Sequence, residues 1–158
     1  MVEIVALEEC LWQGAKEAFE TMIMMPIEKV EDFDAELDGV QTLVGSITFS
    51  DALQGAVMIK CCDKSAECIA KNMLMMEPDD PIEASEIQDA FGEVVNLVIG
   101  GFKSRIAESV GNIEISVPMV IEGKEMNPSA GADGHKVSVF ATGTDCKLKF
   151  IVVYKETA

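Results

Sequence analysis

Apolar residues recur along this chain with two different periods. Across residues 7–29, Leu11, Ala15, Ala18, Met22 and Met25 repeat at spacings of four and three, which predicts a helix with one buried face. Pro26 is expected to bend or end it. Residues 40–50 alternate instead, with Val40, Thr42, Val44, Ser46 and Thr48 on one side of a strand and Leu43, Ile47 and Phe49 on the other. A turn at Asp51–Gly55 and a second strand at Ala56–Cys62 complete a hairpin. Residues 64–76 predict a shorter helix with Ile69, Met73 and Met76 on one face. A long helix follows, with Asp80 as cap, Pro81 in the first turn and Glu83 closing a capping box; it is expected to run to about Ser109 and stop near Gly111. Ile113–Glu122 reads as a strand, with Pro118 marking an edge or bend. A loop at Gly123–His135 leads to a final hairpin, Lys136–Thr142 and Lys147–Lys155, around Gly143–Asp145.

The order of elements contains an internal echo. Ala18–Met24 aligns with Ala90–Asn96, and each segment is followed by a hairpin. The expected fold is therefore an α/β (α+β) sandwich of two pseudo-repeated helix–strand–strand units. Long helices would pack on a mainly antiparallel sheet, within one domain spanning residues 1–158.

Composition narrows the function. Nearly half of the 158 residues are apolar and a quarter are charged, the balance of a globular domain. No apolar run is long enough to cross a bilayer, and Glu3, Glu8 and Glu9 break up any opening signal sequence. A cytoplasmic location and no membrane partner are expected. The net charge of −16, with scattered Lys and Arg, argues against nucleic acid as a partner. Five cysteines and one histidine show no zinc-ligand spacing and read as reduced thiols, so no metal site of its own is expected.

The strongest candidate chemistry lies on the long helix. At 100° per residue, Ile87, Phe91, Val94, Val98 and Phe102 gather on one side, the core stripe. Asp89, Glu93, Asn96, Gly100 and Lys103 gather opposite. Glycine within a helix costs about 1 kcal/mol relative to alanine, so Gly92, Gly100 and Gly101 call for an explanation. Gly101 lies toward the core and suits close packing. Gly100 lies on the polar face and suits close approach by a partner.

The segment Asp89-Ala-Phe-Gly-Glu-Val-Val-Asn-Leu-Val-Ile-Gly100 resembles the signature helix of the CheX/CheC/FliY phosphatases of bacterial chemotaxis, and is most similar to the CheX branch. The opening helix around Phe19–Met22, the Ile115–Pro118 strand leading to Gly123 and the closing hairpin are consistent with it. The resemblance implies a phosphatase acting on a phosphorylated CheY-like receiver protein. Its E-x-x-N motif falls on Glu93 and Asn96 as catalytic residues, and Thr21 and Met24 stand at the first-half positions, as in members with one site. It further implies that Mg²⁺ is bound by the receiver, with no cofactor in this chain, and that the chain can form a homodimer. Asp89, Gly100 and Lys103 would contact the partner. The rival reading is a non-catalytic module that uses the same helix to hold a receiver or a flagellar or sensory partner.

Other candidates carry less. His135 reads as a surface loop residue, and Asp79-Asp80 as part of a helix cap rather than a metal site. The methionine-dense Met22–Met25 and Met73–Met76 read as core or interface packing, with an adaptable binding surface as the alternative.

Overall fold

The computed structural model describes residues 3–124, 126 and 131–156. Helix α1 (Ile4–Ala18) passes into a π-helical turn, Phe19–Ile23. The helix ends at Met24, whose φ is 60°, two residues before the Pro26 expected to bend or end it. Two things stop it before Pro26. The Met25 N–H bonds back to the Phe19 carbonyl at 2.8 Å, and Asn72 Nδ2 donates to the carbonyls of Ile23 and Met24 at 2.8 and 3.3 Å. Strand β1 (Glu28–Val30) and a 3₁₀ turn (Asp34–Leu37) lead to the first hairpin, β2 (Thr42–Asp51) and β3 (Leu53–Cys62).

Pairing within that hairpin stops at Phe49 opposite Gly55, which leaves the predicted turn between them. Asp51, at φ 91°, and Leu53 nevertheless remain in the sheet, because they pair outward with Ile113 and Glu156. Helix α2 spans Asp63–Met73 and α3 spans Ala84–Ile106. The start of α3 corrects the sequence expectation. Glu83, not Asp80, is the N-cap, and Glu86 Oε1 accepts the Glu83 N–H at 3.3 Å to form the capping box. Asp80 cannot cap because its carboxylate accepts the Glu77 N–H, closing the preceding turn. After Ile106 the chain unwinds to Gly111, at φ 115°.

Two short strands, β4 (Ile113–Ile115) and β5 (Met119–Gly123), replace the single strand expected there. Both pair antiparallel with β2, but Phe49 faces Ile115 while Ser46 faces Met119. Three steps along β2 therefore match four along the edge, which is a bulge at Ser116–Pro118. Pro118 has no N–H for the ladder, and Ser116 bridges the break through its own N–H to the Thr48 carbonyl and its Oγ from the Thr48 N–H. Within the predicted loop that follows, Glu125 and Asn127–Ala130 lie outside the described residues. The closing hairpin, β6 (His135–Gly143) and β7 (Cys146–Glu156), turns at Thr144–Asp145 as expected. His135 begins β6, stacked on Tyr154 with ring centroids 5.0 Å apart, rather than standing in a loop.

The sheet order is β1-β6-β7-β3-β2, with β4 and β5 both on the outer edge of β2, and every pairing is antiparallel. This arrangement deepens the internal echo. Each half contributes a helix, a short strand and a hairpin, and each short strand pairs with the other half's hairpin: β1 with β6, β5 with β2. Phe19 and Phe91, aligned in the repeat, are both fully buried.

The helices cover one face of the sheet. Phe91, Val94, Val95, Val98, Ile99 and Phe102 of α3 are all at 0% exposure. Burial of side chains of this kind contributes about 1.5–3 kcal/mol each. Glycines set the approach distances. A methyl on Gly45 of β2 would lie 2.5 Å from Val95 Cγ2, so α3 sits down onto the sheet there. A methyl on Gly101 would lie 2.8 Å from Gly14 Cα, and one on Gly14 would lie 2.8 Å from the Phe102 backbone nitrogen. The backbones of α1 and α3 therefore touch at Gly14 and Gly101, and Arg105 ties the crossing to Glu17. On the opposite face, Val44, Met58, Ile151 and Val153 form a second cluster, and Phe33, Leu37 and Phe140 a third. Lys149 is buried there against both carboxylate oxygens of Asp34 at 2.9 Å.

The two glycines of α3 are expected to respond oppositely to alanine. Gly101→Ala forces backbone against backbone and should cost about 1–3 kcal/mol in urea denaturation. At Gly100 no atom lies within 4 Å of where a methyl would stand. Alanine there should bring no loss of stability and a gain of up to about 1 kcal/mol.

Candidate functional site

The rotation of α3 about its own axis is set by its buried stripe, and that rotation decides which residues face outward. The stripe predicted from sequence is the one that is buried, except that Ile87 is half-buried near the N-terminal end. Asp89 and Glu93 are exposed, and Asn96 is half-buried. Neighbours three and four apart on a helix have Cβ atoms about 5–6 Å apart, so Asp89, Glu93 and Asn96 form one continuous polar row. Neither the Glu93 nor the Asn96 side chain hydrogen-bonds or ion-pairs with any described residue.

Beside this row lies an open depression of about 280 Å³, lined by Gln88, Asp89, Gly92, Glu93, Asn96, Pro118 and Val120. Two elements build it. α3 supplies the polar wall, and the bulged edge of the sheet supplies an apolar floor. Pro118 comes to Gly92, where an added methyl would sit 3.7 Å from the proline Cγ. The bulge thus turns Pro118 toward the helix, a common use of bulges beside functional sites.

The structure therefore brings Asp89, Glu93 and Asn96 together, but not all five polar-face residues. Gly100 is exposed one turn beyond Asn96, and half-buried Lys103 lies about 10 Å along the axis from Asn96; neither lines the depression. Gln88, Pro118 and Val120 do not stand out as site residues in the sequence. A proline inside an otherwise strand-like stretch was the available signal for the floor. Nothing local in the sequence marks Val120.

The first-half counterpart is built differently. Thr21 donates its hydroxyl to the Glu17 carbonyl at 2.7 Å, and Met24 has left the helix with φ 60°. Positions 21 and 24 thus cannot present two side chains as Glu93 and Asn96 do on a regular helix.

Other chemistry is weaker. Cys61 and Cys146 are buried, and burial pushes both thiols up, that of Cys146 to about 11, so neither is a poised nucleophile at neutral pH. Among the described residues, no group of three or more His, Cys, Asp or Glu is placed to hold a metal ion. No helix of the described residues is long and apolar enough to cross a membrane.

Comparison with known proteins agrees with this architecture. Residues 43–142 match the family model for the chemotaxis phosphatase CheX. No curated protein sequence matches the chain. Among solved structures, CheX from Vibrio vulnificus is similar at 19% identity, covering 98% of this chain and 97% of that one, with a TM-score of 0.75. CheX from Desulfovibrio desulfuricans is similar at 14% identity, with coverage of 94% and 99% and a TM-score of 0.77. The CheX–CheY–BeF₃–Mg²⁺ complex from Borrelia burgdorferi contains a chain similar at 14% identity, with coverage of 99% and 100% and a TM-score of 0.75. At these identities the structural likeness establishes the fold, while the family model spans well over half of the sequence. On the strength of that match, this protein belongs to the CheX family of chemotaxis proteins.

Proposed function

We propose that this protein accelerates hydrolysis of the aspartyl phosphate of a CheY-like receiver, with Glu93 and Asn96 as the catalytic pair. The observation that carries the reading is an exposed carboxylate and a half-buried carboxamide, whose side chains have no hydrogen-bond or ion-pair partner among the described residues, held in a fixed relation on a rigid helix. An acyl phosphate is already reactive. Water attacks phosphorus, the bond from phosphorus to the aspartyl oxygen breaks, and inorganic phosphate and a free carboxylate result. The catalyst need only place the water in line. The Asn96 carboxamide can accept from that water and donate to a phosphoryl oxygen, without being a base. Glu93 would pair with a receiver lysine and fix the docking geometry. The receiver would bring the phosphoryl group and its divalent cation, in keeping with the Borrelia complex, which holds CheY together with Mg²⁺. Positioning of this kind supplies much of the rate enhancement available to such a site. The location consistent with this partner is the cytoplasm.

Partner contact would spread over Asp89 in the depression and Gly100 one turn on, with Lys103 at the far end of the same face. Gly100 is open, so a receiver surface can come up to the α3 backbone there. The β5 edge supports self-pairing into a homodimer. Among the described residues, β5 pairs only with β2, and Ile115, Val117, Met119 and Ile121 along this edge are exposed.

Glu93→Ala and Asn96→Ala should each change unfolding free energy by less than about 0.5 kcal/mol, as expected for side chains without partners on an outward helix face. Each should reduce phosphate release from an acetyl-phosphate-loaded receiver by about a hundredfold or more. Wild-type protein that binds the receiver without faster release would favour the binding module. Fast release by both variants would remove these residues from the mechanism.

Gly100→Leu should leave stability and the limiting rate near wild type while raising the receiver concentration needed for half-maximal rate. Steady-state kinetics over a range of receiver concentrations separates the two. For the dimer, Ile121→Lys should shift sedimentation toward the monomer.

A further inference from the structure

We propose that the exposed methionine-rich surface formed by the end of α1 and the end of α2 is a docking site for a basic amphipathic helix of a partner protein. Met22, Met24, Leu74 and Met75 are 60%, 73%, 46% and 93% exposed. They form one patch, because Asn72 on the last turn of α2 donates to the carbonyls of Ile23 and Met24. Of the methionines expected to serve core or interface packing, Met25 is buried and Met73 packs on the main core, whereas Met22, Met24 and Met75 are exposed.

The backbone shows that this exposure is not incidental. Met24 and Met75 both adopt left-handed conformations, with φ of 60° and 58°. Each follows the last turn of a helix, where glycine is ordinarily found because a Cβ there costs about 1–2 kcal/mol. Glycine would serve the fold better and would also remove an apolar side chain from water. Two methionines in this conformation and in solvent serve neither stability nor solubility. A flexible thioether side chain does serve an adaptable binding surface.

The rim selects the occupant. Glu20, Glu77, Asp79 and Asp80, which flank Met22, Met24 and Met75 within five residues in the sequence, are exposed. Lys71 on α2 is committed to the Pro78 carbonyl at 2.7 Å and to Glu67 at 3.8 Å. An apolar surface with an acidic rim fits an apolar stripe flanked by Lys or Arg. A second copy of this chain would bring the same acidic residues to this surface. An anionic bilayer is repelled by those same acidic side chains. Met24 also stands where the second half carries Asn96, so the first half presents apolar surface at a position equivalent to the proposed catalytic one.

The test is fluorescence anisotropy with a labelled Leu/Lys amphipathic helical peptide of about five turns. A Leu/Glu peptide and phosphatidylcholine/phosphatidylglycerol vesicles run in parallel. Wild type should bind the Leu/Lys peptide about tenfold or more tightly than Met24→Gly/Met75→Gly does, and should not bind the Leu/Glu peptide comparably. Glycine suits both left-handed positions, so the variant should melt no lower than wild type, and lost affinity cannot be unfolding. The variant keeps every rim charge, so purely electrostatic association would survive in it. Equal affinity of the two proteins, or no binding of the Leu/Lys peptide, overturns the proposal. Vesicle binding or self-association that disappears in the variant also overturns it, and would assign the surface to a membrane or to a second copy.

Discussion

The burial of one face of α3 against the sheet is the constraint on which the rest depends. Six apolar side chains from Phe91 to Phe102 are removed completely from water, and turning the helix by even one residue would expose some of them at about 1.5–3 kcal/mol each. The helix therefore has one permitted rotation. The polar row opposite is fixed as a consequence, not by contacts of its own. This is why the Glu93 and Asn96 side chains can lack hydrogen-bond partners among the described residues and still be held in place.

Glycine makes that seating possible at two points. Gly45 lets α3 descend onto β2 beside Val95 and Phe91, and the Gly14–Gly101 contact lets α1 lie directly against α3. Close helix contact draws both helices over a sheet whose two halves are interleaved, each short strand completing the other's hairpin. The site inherits its form from this interleaving. Its polar wall belongs to the helix of the second half. Its floor comes from an edge segment that is bulged where it runs along β2, a strand of the first half.

The two halves have parted at equivalent places. In the second, a regular helix carries a carboxylate and a carboxamide on one face. In the first, the helix widens to a π turn and ends in a left-handed methionine. A residue in that conformation cannot continue the face, so the difference lies in the backbone as much as in the side chains. An acidic chain with an incomplete polar site is physically coherent when the cation, lysine and phosphoryl group belong to a receiver, since the positive charge of the cation and lysine offsets the approach of like-charged surfaces.

Much of this was legible in the residues alone. The 3.6-residue stripe from Phe91 to Phe102 and the alternation in 40–50 depend only on local periodicity, so helix α3, the first hairpin and the outward placement of Glu93 were readable directly. The packing role of Gly101 and the openness of Gly100 followed from the same wheel. What the local pattern could not contain was decided by distant partners. The cap of α3 moved from Asp80 to Glu83 because Asp80 is used by the Glu77 turn. Helix α1 stopped at Met24 because Asn72, far along the chain, takes its last carbonyls. The expected strand Ile113–Glu122 broke because its register on β2 slips by one residue at Ser116–Pro118, and that slip placed Pro118 and Val120 beside the polar row. Periodicity determines which face of an element is buried; only tertiary pairing decides where the element ends and what stands next to it.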